Sequence, residues 1–358
     1  MIRILTMAMA VCAVLGALDR IAGGRFGLAK PFEEGFQMLG PVALSMAGIL
    51  CLAPLLASGA SHLAPFLRHA GLEPALLSSV LAIDMGGYQM AEALASGEDA
   101  GLFYGIMVCA TLGCTISFTI PTGMGLYGKE DQERFAQGLL YGLVTLPLGL
   151  MAAALLMGLR PVQALKLCLP MLLAALLLAA LLRWRPRGTV RALQGFAGLL
   201  RALTTAGLGL GAFQQISGVV LLPGLMPLEE SMGVVSAICV TLLGSLPAAA
   251  LLMRALERPL EKLGSRLGIG REAVLGLLLL YVNATPGLTA MPGMSERGKV
   301  VSSAFAVSAA SALTAHVAFA MRFAPETTGP LLAGKLVGAL AAAALALAAT
   351  MPAKRPRG

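Results

Sequence analysis

The sequence is short of charge. Of 358 residues only 12% are Asp, Glu, Lys or Arg, about half the share of an average soluble domain. A chain that is 58% apolar cannot cover its core with so little polar surface, which excludes a water-soluble globule. Aromatics are also scarce, at 5% with one Trp. A nucleic-acid surface would need stacking aromatics within a basic patch, so the net charge of +8 does not indicate nucleic acid. Phosphate-loop, zinc-protease and serine-hydrolase motifs are missing, which argues against an ATP-driven pump and against an enzyme. Gly123-Met124-Gly125-Leu126-Tyr127-Gly128 fits a dinucleotide pattern but follows no strand, so it reads as helix and loop glycines. The six cysteines lie in apolar runs without metal-type spacing and read as packing residues. No cofactor and no metal are expected.

Gly (43) and Pro (20) are plentiful, as are long apolar runs. Small residues let helices approach closely in lipid. The expected fold is therefore an all-α polytopic membrane protein. A β-barrel would show alternation instead of continuous apolar runs. Seven stretches read as continuous spans: about 2–19, 38–57, 138–158, 163–183, 197–217, 232–253 and 331–351. Two more, 101–122 and 300–321, are apolar but carry Ser, Thr and Gly. Residues 75–96 and 273–294 are apolar but interrupted, at Asp84-Met85-Gly86-Gly87 and at Asn283-Ala284-Thr285-Pro286. Each arm, about ten residues or ~15 Å of helix, reaches the midplane without crossing it.

The chain resembles itself. Residues 17–23 match 212–218, Phe32-Glu33-Glu34-Gly35 matches Leu228-Glu229-Glu230-Ser231, and Asp84 aligns with Asn283. The offsets stay between 195 and 199. Each half reads as helix, Glu-Glu loop, helix, broken segment, Ser/Thr-rich helix, helix. The expected division is 1–160 for the first repeat, 161–190 for a linker helix and basic loop, and 191–358 for the second repeat. The match includes the first residues, which favours a retained helix there over a signal peptide. Two topologies compete: eleven spans with parallel halves, or nine spans with two re-entrant segments and inverted halves. The re-entrant arrangement puts 19 Lys and Arg on one face and five on the other (Arg3, Arg68, Arg160, Lys166, Arg322); all-crossing gives 14 against 10. The positive-inside rule then selects inverted halves, with the N-terminus outside and the C-terminus cytoplasmic.

A broken helix at membrane depth must face protein or water, because unpaired backbone groups in hydrocarbon are costly. Matching breaks in inverted halves imply a midplane ligand site between the repeats, the architecture of a transporter. Asp84 stands at the first break, either as the carboxylate for a cationic ligand or as a helix cap. Asn283, its counterpart, is neutral, so the pair carries one negative charge and suits one monovalent cation. Tyr88 offers a cation–π face one turn on, followed by Gln89. Thr115 opens an alternating Thr/Ser run that would line one side if unwound, or would serve helix packing if helical. Ser308 lies in the related segment. His316 is the only His in a span, a packing residue or a proton carrier. Glu33, Glu34, Glu229 and Glu230 read as helix N-terminal charge, or as attractors of cations at two entrances.

Several stretches together resemble the EutH family, the ethanolamine utilisation membrane proteins. They are Asp19-Arg20-Ile21, Phe32-Glu33-Glu34-Gly35-Phe36, Asp84-Met85-Gly86-Gly87, Arg297-Gly298-Lys299-Val300 with 304–310, then His316 and Gly334-Lys335-Leu336-Val337-Gly338. They run in order from about 17 to 338. Ala315 stands where the family commonly has an acidic residue, which argues against an acid–His pair at His316. The resemblance implies a bacterial inner-membrane facilitator of ethanolamine entry, feeding a cobalamin-dependent ammonia-lyase pathway. The expected partners are then ethanolamine and the lipid bilayer. Asp84 would take the ammonium, and Asn283 with nearby hydroxyls the hydroxyl. Competing readings are an ion-coupled carrier of another small amine or metabolite and, from another class, a membrane scaffold or enzyme. Gly138–Gly142, Gly207–Gly211 and Gly334–Gly338 offer close-packing faces for a homo-oligomer.

Overall fold

The computed structural model describes residues 2–81 and 84–350. Among them there are helices and loops and no strand, so the protein is an all-α polytopic membrane protein. Nine long helices form the framework: α1 (Ile2–Ile21), α2 (Ala29–Ser61), α3 (Glu98–Leu126), α4 (Lys129–Leu156), α5 (Pro161–Trp184), α6 (Pro186–Ser217), α7 (Leu228–Leu267), α8 (Glu296–Phe323) and α9 (Pro325–Ala349). From α2 onward all eight are long and apolar enough to cross a bilayer, α7 over Leu228–Leu256.

Several helices outrun their apolar cores. α7 has 40 residues, about 60 Å at the ordinary helical rise, against the 232–253 expected from hydropathy. Its last turns carry Arg254, Arg258, Lys262 and Arg266, which read as loop in a hydropathy pattern yet continue the helix into water. α2 begins at Ala29, so Glu33 and Glu34 stand inside a helix rather than before one. Its start is fixed by Asp19, a buried carboxylate that accepts from the backbone N–H groups of Phe26, Leu28 and Ala29 at 2.6–2.8 Å. The Arg254 guanidinium closes the same loop on the carbonyls of Phe26 and Gly27.

Both broken segments fold back as hairpins. In the first, 74–94, the ends are joined where Ser96 N donates to Glu73 Oε1 at 2.7 Å. In the second, Arg271–Val282 turns at Asn283 into Ala284–Ala290. A methyl group on Gly287 would lie 2.7 Å from Leu280 N, so the arms lie side by side. Ser295 Oγ donates to Ile269 O at 2.9 Å and joins the ends. Each segment therefore starts and finishes at one face of the bundle.

The faces are opposite ones. α3 begins beside the first hairpin's ends and finishes near the second hairpin, where Tyr127 Oη donates to Leu288 O. α8 runs the other way. It begins at the second hairpin, with Glu296 bonded to Arg134, and ends with Phe323 against Tyr88. The two helices are antiparallel and are the most buried in the molecule, with 83% and 78% of their apolar windows inside. The outer helices pair reciprocally: α1 packs on α7, and α6 packs on α2. At the second of these crossings Gly48 and Gly207 bring the backbones together, since a methyl on Gly207 would lie 2.2 Å from Gly48 O.

Candidate functional site

α3 is the common neighbour of the two hairpin tips. The first tip, with Asp84–Gly87 in a 3-10 turn, packs on residues 103–113 of α3. Residues 82–83 lie outside the described residues, as does the Asp84 side chain, so only its backbone position is placed. At the second tip Ala284 and Ala310 pack on Cys114 and Phe118 of α3. Both tips thus pack on the interior of one helix, entering from opposite faces.

The second tip is tied to a break in α8. Ser311 has φ of +54°, in the left-handed region that side chains rarely adopt. Its N–H donates to Leu280 O at 3.0 Å, and its hydroxyl accepts from Ala284 N at 3.1 Å. Thr314 Oγ1 donates to Val282 O at 2.7 Å. Chain ends left open by one interruption are satisfied by the other, as burial in an apolar medium requires. Asn283 caps its own following helix, its Oδ1 accepting from Thr285 N at 3.2 Å. His316 is buried, and its Nδ1 donates to the Ala310 carbonyl at 2.9 Å, which assigns the proton to Nδ1.

Thr115 does not unwind. α3 stays helical through π-helical turns at Phe103–Gly113 and Thr115–Thr119. The Thr115 hydroxyl instead bridges to α8 at Val307 O, 2.8 Å away. Ser308 is buried against Gly338 of α9, and its hydroxyl has no hydrogen-bond partner among the described residues. Gln89 Oε1 is in the same condition. Tyr88 packs with Phe323 at 4.9 Å and Phe319 at 6.4 Å between ring centres.

Beside that aromatic cluster a cavity of about 390 Å³ opens at the first hairpin's face, lined by Tyr88, Phe323 and the carboxylates Glu92, Glu98 and Glu326. It shares Ser96, Gly97 and Glu98 with a larger cleft of about 630 Å³ that also holds Glu73, Asp99, Arg68 and Lys166. None of the four glutamates expected to attract cations lines either space. Glu33 pairs with Arg20 at 2.7 Å and Glu34 with Lys30 at 3.9 Å, while Glu229 and Glu230 are exposed in the first turn of α7. At the opposite face Lys299 is paired with Asp131 at 2.6 Å and Glu296 at 2.8 Å, and Arg134 with Glu296.

Lys335 was not foreseen as a site residue. It is 1% exposed, in the interior of α9, and its Nζ donates to Ala110 O of α3. A lysine in such a place costs about 2.5–3.5 kcal/mol on insertion scales and marks function by default. Its sequence signals are a cation inside an apolar run and its place in the Gly334-Lys335-Leu336-Val337-Gly338 stretch; its neighbour across the bundle lies 225 residues away.

The profile of the family described as "Ethanolamine utilisation protein, EutH" matches residues 1–349. This chain belongs to the EutH family. The probable ethanolamine permease EutH of Listeria monocytogenes is 36% identical over 346 residues, covering 96% of this chain and 93% of that one. The protein of the same description from Salmonella typhimurium is 33% identical over 380 residues, with the same coverage. YxeR of Bacillus subtilis, an uncharacterized protein, is 36% identical over 334 residues and covers 92% and 90%. No solved structure matches the chain. Family and fold together give a multi-pass membrane protein of the ethanolamine utilisation family.

Proposed function

We propose that this protein admits ethanolamine to the cytoplasm across the bacterial inner membrane, as a permease with its site between the two hairpin tips. One observation carries the reading: two hairpins entering from opposite faces converge on the middle of α3. Interrupted helices that meet at mid-depth supply directional carbonyls and amides where an apolar bundle otherwise offers none.

In this reading Asp84 receives the ammonium. Asn283, Thr115 and Ser308 supply partners for the substrate hydroxyl, with His316 beside them at the second break. Tyr88 and Gln89 lie on the way in from the acidic cavity, whose carboxylates raise the local concentration of a cationic amine. The relatives named as ethanolamine permeases support this substrate. The orientation in this reading is N-terminus outside and C-terminus cytoplasmic, so the acidic cavity faces outward.

The test is uptake of labelled ethanolamine into proteoliposomes. The wild-type protein should load vesicles down an amine gradient, and Asp84→Asn should abolish uptake without loss of monodispersity in detergent. Full uptake by a well-folded Asp84→Asn variant removes Asp84 from the site. Flux that requires an imposed Na⁺ or H⁺ gradient replaces the permease with an ion-coupled carrier.

A further inference from the structure

Lys335 sits where charge needs a purpose. Its helix, α9, packs on α4 and α8 through small residues: a methyl on Gly334 would lie 2.8 Å from Gly149 O, and one on Gly338 would lie 2.7 Å from Ser308 Oγ. From this close packing the lysyl chain reaches a further helix, α3, and ends on the Ala110 carbonyl. That carbonyl lies in the stretch of α3 that carries the tip contacts. The Asp84–Gly87 turn packs on 103–113, and the second tip meets Cys114, one helical turn beyond Ala110. The ammonium of Lys335 is therefore held on the stretch of helix where the two tips converge.

We propose that Lys335 is the resident cation of the transport site and that a substrate ammonium binds by competing with it. The inference rests on the reading of Asp84 as the substrate's carboxylate. With Asp84 and Lys335 both ionised, the empty pathway carries no net charge. An arriving ammonium leaves it one unit positive, and like charges close together in a poorly screened interior repel strongly. Repulsion keeps binding weak and release fast. It also denies inorganic cations a standing negative site, so the pathway does not leak Na⁺ or K⁺. The Ala110 carbonyl adds a requirement among organic cations: an ammonium that replaces Lys335 there must bring an N–H donor. Primary ammonium compounds meet it, and a quaternary ammonium does not.

The experiment compares wild type, Lys335→Ala, Lys335→Arg, Lys335→Gln, Asp84→Asn and the double variant Asp84→Asn/Lys335→Gln in proteoliposomes and in detergent. In Lys335→Ala the KM for labelled ethanolamine should fall about tenfold with a matching fall in maximal rate, since one unbalanced carboxylate now holds the amine. Na⁺ should become a competitor, and Lys335→Arg should return KM toward the wild-type value. An unchanged or raised KM at retained maximal rate overturns the proposal. If Lys335→Ala fails to accumulate, thermal stability decides. Should Asp84→Asn cost less stability in the Lys335→Gln background than in the wild type, the two charges are coupled and the proposal stands; should it cost the same in both, the proposal falls. No uptake by wild type rejects the ethanolamine reading, while this stability comparison still decides the charge coupling.

Discussion

Arg297 shows how much one side chain can hold in a bundle with little polar surface. Its guanidinium donates to Leu267 O at 2.8 Å, to Leu347 O at 3.1 Å and to Thr350 Oγ1 at 3.2 Å. It thereby satisfies carbonyls at the ends of α7 and α9 together. The planar fork makes this possible, because its donors point in different directions from one rigid group. Each hydrogen bond is worth about 1 kcal/mol net, so Arg297→Ala should cost about 2–3 kcal/mol. A lower midpoint of thermal unfolding in detergent checks this, and Arg297→Lys should recover only part of the loss. Ser311 gives the complementary case. Glycine accepts its backbone conformation freely, whereas a β-branched residue is strained there. Ser311→Val also leaves the Ala284 N–H without its hydroxyl acceptor. Ser311→Val should lose both stability and uptake, and Ser311→Gly should keep more of each.

At the scale of elements, α2 and α6 depend on contact between backbones. A methyl at Gly48 would lie 1.7 Å from Thr204 O, while one at Gly59, farther along the same helix, meets nothing within 4 Å. Gly48→Leu should prevent accumulation of folded protein, and Gly59→Ala should leave it intact. Size-exclusion profiles of the two variants make the comparison. The breaks were legible in the sequence because Asp-Met-Gly-Gly and Asn-Ala-Thr-Pro are plain interruptions of apolar runs. The bend at Ser311 was not, since serine carries no helix-breaking signature and the strain is imposed by hydrogen bonds to another element. The Thr115–Thr119 alternation leaves helicity open for a similar reason: it is compatible with π-helical turns once the Thr115 hydroxyl bonds to Val307 O of α8 and the Ser117 hydroxyl to Gly113 O of its own helix. Helix ends such as those of α2 and α7 escaped detection because hydropathy measures immersion in lipid and not helicity. Lys335 was visible as a residue but not as part of the site, because Ala110 is brought beside it only by the packing of the bundle.

The whole molecule is organised by opposition. The first hairpin's ends, at Glu73 and Ser96, lie at one face, and the second's, at Ile269 and Ser295, lie at the other. A cysteine at Ser96 should therefore react with impermeant maleimide from outside the cell, and one at Gly293 only after the cytoplasmic face is opened. Ser96 is exposed and Gly293 has open space around it, so neither change disturbs the fold. Labelling of both from one face overturns the opposed arrangement, and the reverse pattern overturns the orientation argued from positive charge.

The antiparallel run of α3 and α8 has a kinetic consequence. A substrate approaching from either face meets a hairpin whose tip packs on α3. In the permease reading proposed above, no coupling ion drives the passage and direction is set by concentration alone. Proteoliposomes preloaded with ethanolamine should empty at a rate comparable to that at which empty ones fill. Net accumulation in a cell would then depend on how quickly the next enzyme removes the amine.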